Sequence, residues 1–140
     1  MRPMYETSED LGREGKVKAI LEAHWKAKLH KLPIAYKLDF LAEREEGTVA
    51  WIEVKVRTNA MRQYPTMMLS LSKFLIARQL TETTGLPSFL VVQWTDKLGF
   101  VDMNQISYTV AMGGRKDRND SQDIDPSAYI AIDHFQEFKQ

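Results

Sequence analysis

The sequence predicts an α/β fold in which a mixed sheet is flanked by helices. Three stretches carry that reading: a helix-periodic segment near the N-terminus, an alternating hairpin over about residues 36–57, and a near-continuous apolar run at 88–94 that follows a second helical segment. With 140 residues, 44% of them apolar, one globular domain is the expectation. Basic and acidic side chains number 19 each, so bulk charge points to no polyanionic partner. The absence of cysteine excludes disulfides and thiolate metal sites and fits a reducing compartment. No apolar run approaches the ~18 residues of a membrane span, and no signal-peptide pattern opens the chain. A cytoplasmic protein is the expectation.

The first helix is expected from about residue 7, where Thr7 and Ser8 offer a cap, to about residue 30, before Pro33. Leu11, Val17, Ile20, Leu21, Trp25 and Leu29 fall on one side of it at 100° per residue. Glu14 projects near the middle of that stripe, between Gly12 and Gly15. A carboxylate facing a core costs free energy unless it is paired or bound to a cation, whereas one near the first turns simply complements the helix dipole. The two glycines weaken the helix by ~1 kcal/mol each relative to alanine and leave room for a close approach.

Residues 36–43 and 49–57 read as an antiparallel hairpin turning at Glu45-Glu46-Gly47. On the second strand Ile52, Val54 and Val56 alternate with Trp51, Glu53, Lys55 and Arg57, so Glu53 and Lys55 share a face. A turn centred on Glu46 sets Leu41 across from Trp51 and Asp39 across from Glu53. Carboxylates facing each other in a sheet repel, and a divalent cation between them is the simplest compensation. Hard cations such as Mg²⁺ or Mn²⁺ favour carboxylate and carbonyl oxygens. Lys55 adds an ammonium beside that point.

Asp39, then Glu53-Val54-Lys55 on the following strand, after a helix bearing Glu14, resembles the PD-(D/E)xK nuclease superfamily. One departure is Leu38, where many members have proline before the aspartate. The resemblance covers about residues 8–103 and implies a restriction-endonuclease-like α-β-β-β-α-β core, with residues 104–140 as an extension. It implies hydrolysis of nucleic-acid phosphodiesters, with DNA as substrate. Asp39, Glu53 and the Val54 carbonyl would hold Mg²⁺ or Mn²⁺. Lys55 would orient water or stabilise developing charge, and Glu14 would complete the metal shell or hold Lys55. A homodimer is the corresponding expectation for a small nuclease acting on a duplex.

No acidic residue occurs from residue 54 to 81, while Lys55, Arg57, Arg62, Lys73 and Arg78 do. These form either a basic surface or charges scattered over several faces. A loop at 58–66 carries Arg62, Gln63 and Tyr64, residue types that suit a sugar-phosphate backbone or an ordinary surface. A second helix is expected from about residue 67 to 84, ended by Gly85 and Pro87, with Met68, Leu71, Leu75 and Leu80 in the core. Lys73 on that helix resembles a lysine of related phage nucleases that reaches the cleft or a phosphate.

The run at 88–94 suits a central strand buried on both faces, followed by a short strand at 100–103. Residues 113–126 read as a polar loop whose Arg115, Lys116 and Arg118 are candidates for phosphate contact, alongside Arg57, Arg62 and Lys73. Its acidic half lacks the spacing of a calcium loop, and His24, His30 and His134 lack the spacing of a zinc site or a triad. A late strand is expected at 129–132. The reading from a different class is a nucleic-acid-binding or interaction module that keeps the fold without catalysis. A structural protein with an ordinary charged hairpin is the third.

Overall fold

The computed structural model describes residues 8–114 and 124–139. Thr7, Arg115, Lys116 and Arg118 lie outside the described residues, as does the side chain of Leu11.

The first helix, α1 (Ser8–Trp25), is shorter than its apolar stripe. Lys26 turns left-handed at φ 50°, and the chain enters a strand, β1 (Lys28–Lys31). Leu29 fits a helical stripe and an alternating strand equally well. Pairing decides: residues 28–31 run antiparallel to β2 (Phe40–Arg44), and Leu29 is buried. A short 3₁₀ turn at Ile34–Tyr36 stands between them, so the strand expected from residue 36 begins only at 40.

Strand β2 pairs antiparallel with β3 (Gly47–Val56) in the expected register at the site end, Leu41 opposite Trp51 and Phe40 opposite Ile52, while a bulge between Ala42 and Glu43 sets Glu43 opposite Thr48 nearer the turn. The hairpin closes on Gly47, whose φ of +113° is open to glycine and strained for other residues. The helix is thus followed by three antiparallel strands, the order implied by the sequence, with β1 as the member hidden in the helical stripe.

The crossover from β3 holds a strand as well as a helix. Residues 66–70 form β4 (Thr66–Ser70), and α2 (Leu71–Thr84) starts after it. In the Met67-Met68-Leu69 run the strand period wins. Met67 and Leu69 are buried while Met68 is 42% exposed, because residues 127–131 supply a pairing partner. On α2 the buried residues are Phe74 and Ala77; Leu75, expected in the core, is 57% exposed. The helix ends at Gly85, left-handed at φ 75°, whose N–H reaches the Thr81 carbonyl.

Strand β5 (Ser88–Gln93) returns parallel to β3, and β6 (Leu98–Asp102) continues antiparallel. Two further strands, β7 (Thr109–Gly114) and β8 (Ile124–Ala131), extend into the segment expected to be loop. A terminal strand, β9 (Gln136–Glu137), borders β6. The main sheet has the order β1-β2-β3-β5-β6-β9, and a second sheet has the order β4-β8-β7.

The main sheet is covered on both faces. Val17 and Leu21 of α1 pack on Ile52, Val54 and Val91, while Trp25 meets Phe89, Phe100 and Phe138 at ring separations of 5.4–5.6 Å. On the other face Phe74 and Ala77 of α2 join Leu90 and Val92, together with Met67, Leu69, Ala128 and Ile130 of the second sheet. Leu90, Val91 and Val92 are fully buried, as a central strand requires.

The strand at 66–70 has a direct test. Leu69→Ala should cost about 2–5 kcal/mol in urea denaturation, and Met68→Ala should stay within ~0.5 kcal/mol. Equal losses would contradict the alternation.

Candidate active site

The site forms where β2 ends and β3 continues. Lys37 is left-handed at φ 69°, Leu38 is buried, and the chain then enters the ladder at Asp39. The Asp39 N–H donates to the Ile52 carbonyl at 3.0 Å, and its own carbonyl accepts the Leu32 N–H at 2.8 Å. The side chain then turns onto β3, where Oδ2 accepts the Val54 N–H at 2.8 Å. This carboxylate takes the bond that a continuing strand would have made. Because the N–H and C=O of one strand residue point to the same side, the Val54 carbonyl faces the same edge as Asp39.

Glu53 points to the opposite face from Ile52 and Val54, towards α2. Trp51 shares that face and donates its indole N–H to Thr84 Oγ1 at 3.1 Å. Glu53 is 1% exposed. Its Oε2 lies 3.6 Å from Lys55 Nζ and 3.3 Å from Lys73 Nζ. Lys73 also donates to the carbonyl of Lys37, so one ammonium ties α2 both to Glu53 and to the turn that leads into Asp39. Glu53 Oε1 is buried with no hydrogen-bond partner among the described residues. Burial pushes the Glu53 carboxyl up to about 7, and the neighbouring Asp39 adds to the rise. Lys55 and Lys73 pull the other way.

Glu14 reaches the site from α1 through an intermediary. Its Oε2 accepts from Lys31 Nζ at 2.7 Å, and the same ammonium stands 3.4 Å from Asp39 Oδ1. Among the described residues no three His, Asp or Glu side chains converge as a metal-holding group. The pair that the fold juxtaposes is Asp39 and Glu53, with Glu14 joined to Asp39 by Lys31. An orphaned carboxylate oxygen, a second carboxylate and an outward-facing carbonyl form a hard-oxygen donor set, which fits a divalent cation of the Mg²⁺ class.

Lys31 was absent from the candidates drawn from sequence. Its signal was the Lys-Leu-His-Lys alternation, legible only once residues 28–31 are read as a strand beside β2. Lys73 lies at the carboxylate cluster rather than on an outer surface. Arg57 donates from Nη2 to the Met68 carbonyl at 3.1 Å. Arg62 pairs with Asp133 at 2.9 Å on an exposed edge.

Over residues 1–138 the sequence matches the model of a family described as "Phage putative PDDEXK endonuclease". The chain belongs to this nuclease family. No curated protein matches the sequence. Among solved structures, Hjc of Archaeoglobus fulgidus, a Holliday junction resolvase from an archaeal hyperthermophile, is similar with a TM-score of 0.59 at 14% identity. The match covers 91% of this chain and 99% of that one, and at this identity it shows the fold. The PDDEXK fold is thus present as expected, with a mixed sheet and, among the described residues, two α-helices.

A pH dependence follows from Glu53. Its carboxyl titrates at about 7 in the folded chain against an ordinary 4.5, so the folded chain holds a proton that the unfolded chain releases. The associated stability is complete below about pH 4.5 and is lost as pH rises through about 7, by roughly 3 kcal/mol. In EDTA, calorimetry should show the melting temperature falling between pH 5 and 8 in the wild type. Glu53→Gln should remove most of that fall; parallel curves for the two proteins would contradict the assignment.

Proposed function

We propose that this PDDEXK chain is a divalent-metal-dependent endodeoxyribonuclease. The observation that carries the proposal is the buried, orphaned Oε1 of Glu53 beside Asp39, with two lysines on the other Glu53 oxygen. Asp39, Glu53 and the Val54 carbonyl would hold Mg²⁺ or Mn²⁺. When bound, such a cation neutralises charge on the scissile phosphate and acidifies water.

The chain's own residues have separable roles. The Val54 N–H and Lys31 fix the Asp39 carboxylate, and Glu14 holds Lys31 from the helix side. Lys55 and Lys73 favour the charged form of Glu53 and offset part of the larger effect of burial. Lys55, with a quarter of its side chain exposed, is the ammonium that can face substrate. There it orients the attacking water or stabilises charge on the phosphoryl oxygens. Arg57 and Arg62 are the described candidates for phosphate contact outside the centre.

DNA is favoured because the structural neighbour is a Holliday junction resolvase. A homodimer suits a small nuclease with one centre, since a duplex presents two strands.

The test is cleavage of plasmid DNA with Mg²⁺ or Mn²⁺. Asp39→Asn and Glu53→Gln should each lower the rate by about a hundredfold or more, with circular dichroism unchanged. Full metal-dependent cleavage by both variants would overturn the assignment. DNA binding without cleavage, unaffected by EDTA, would favour a non-catalytic module instead.

A further inference from the structure

A second feature lies along the same strand. A cleft of about 410 Å³ opens beyond the carboxyl ends of the parallel strands β3 and β5, lined by Arg57 just past β3 and Trp94 just past β5. Crevices outside the carboxyl ends of parallel strands are recurrent ligand positions in α/β folds. Strand alternation puts Arg57 on the face of Glu53 and Lys55, so the cleft continues the line of the active-site strand. Its other walls include Tyr64, Met68 and Tyr129. Met68 and Tyr129 are register partners of the second sheet and therefore share a face.

The cleft is firmly framed. Its 58–65 rim is fastened where Asn59 accepts the Thr95 N–H at 3.1 Å and where Pro65 accepts the Ile132 N–H at 3.0 Å. Between these points the Met61 side chain is buried and its N–H donates to Asp96 at 2.9 Å. The Arg57 guanidinium is oriented by the Met68 carbonyl. Yet Tyr64 is 54% exposed and Met68 42% exposed, so flat and apolar surface is presented to solvent inside a fixed frame.

The chemistry of the lining selects the ligand. Aromatic rings and a thioether offer stacking to a planar ring. The guanidinium offers charge to a phosphate or stacks on the same ring. Among the described residues no acidic side chain lines the cleft. The volume is at the lower end of small-ligand pockets, roughly 300–1,000 Å³, which is the scale of one nucleotide rather than of a duplex. We propose that this cleft takes an unstacked nucleobase of the substrate strand, so that the preferred substrate is DNA with an unpaired nucleotide beside the scissile bond. The proposal rests on the nuclease reading and adds the substrate class to it.

The test uses Glu53→Gln protein, in which cleavage is expected to be lost, and fluorescence anisotropy on two labelled oligonucleotide duplexes, one fully paired and one with an unpaired adenine bulge. The bulged duplex should bind about tenfold more tightly, the order of one base–aromatic stack. Adding Tyr64→Ala should bring the ratio close to one, and Tyr64→Phe, which keeps the ring, should retain it. Equal binding of the two duplexes, or a ratio unchanged by Tyr64→Ala, overturns the proposal. So does a change of oligomeric state on Tyr64→Ala, which would make the cleft a protein interface. Wild-type cleavage of the two duplexes with Mn²⁺ reports separately. Cleavage without the affinity difference removes only the cleft proposal, while absence of cleavage of both the paired and the bulged duplex removes the nuclease reading and leaves the affinity ratio to report on the cleft.

Discussion

A carboxylate buried in the centre of a sheet is the constraint on which the rest of this structure depends. Glu53 sits between hydrophobic neighbours on a strand paired on both sides, where an isolated charge is strongly disfavoured. The fold answers with two ammonium groups on one oxygen and leaves the other oxygen with no hydrogen-bond partner among the described residues. An arrangement that served stability alone would be better replaced by apolar side chains. The incomplete pairing makes sense if a further positive charge is expected at that oxygen, which is what a cation-using nuclease requires.

The surrounding architecture brings three elements to that point. Strand β2 ends one residue short of Glu53's level, and Asp39 closes the open edge with its side chain. Helix α2 covers the sheet face that Glu53 occupies and delivers Lys73, which also grips the turn before Asp39. Helix α1 lies on the opposite face, so Glu14 reaches Asp39 round the sheet edge through Lys31. The two carboxylates are thus held by different ammonium groups, Asp39 by Lys31 and Glu53 by Lys55 and Lys73, with Lys73 also bound to the turn before Asp39. The second sheet extends the wall of the site past the end of β3, where Arg57 leads into the aromatic cleft.

The hairpin, its register and the doubly buried strand were legible from sequence because alternation and apolar runs are direct images of which faces are buried. The Asp39, Glu53 and Lys55 grouping was legible for the same reason. What stayed hidden was ambiguous in period. Leu29 satisfied a helix and a strand at once, and Met67-Met68-Leu69 did likewise; in both cases a distant pairing partner settled the matter. Missing β1 removed Lys31 from view, and reading Glu14 on a helical stripe could not show that the helix covers the other face of the sheet. The link from Lys73 to Glu53 depends on how α2 lies across the sheet, which no local pattern encodes.

The central claim is that Asp39 and Glu53 hold a divalent cation. Crystals soaked in Mn²⁺ and measured at a wavelength where manganese scatters anomalously test it most directly. The account predicts one peak between the two carboxylates, with Glu53 Oε1 and an Asp39 oxygen among ligands at about 2.1 Å. A peak elsewhere, or none while Glu53 Oε1 stays without a partner, would contradict it.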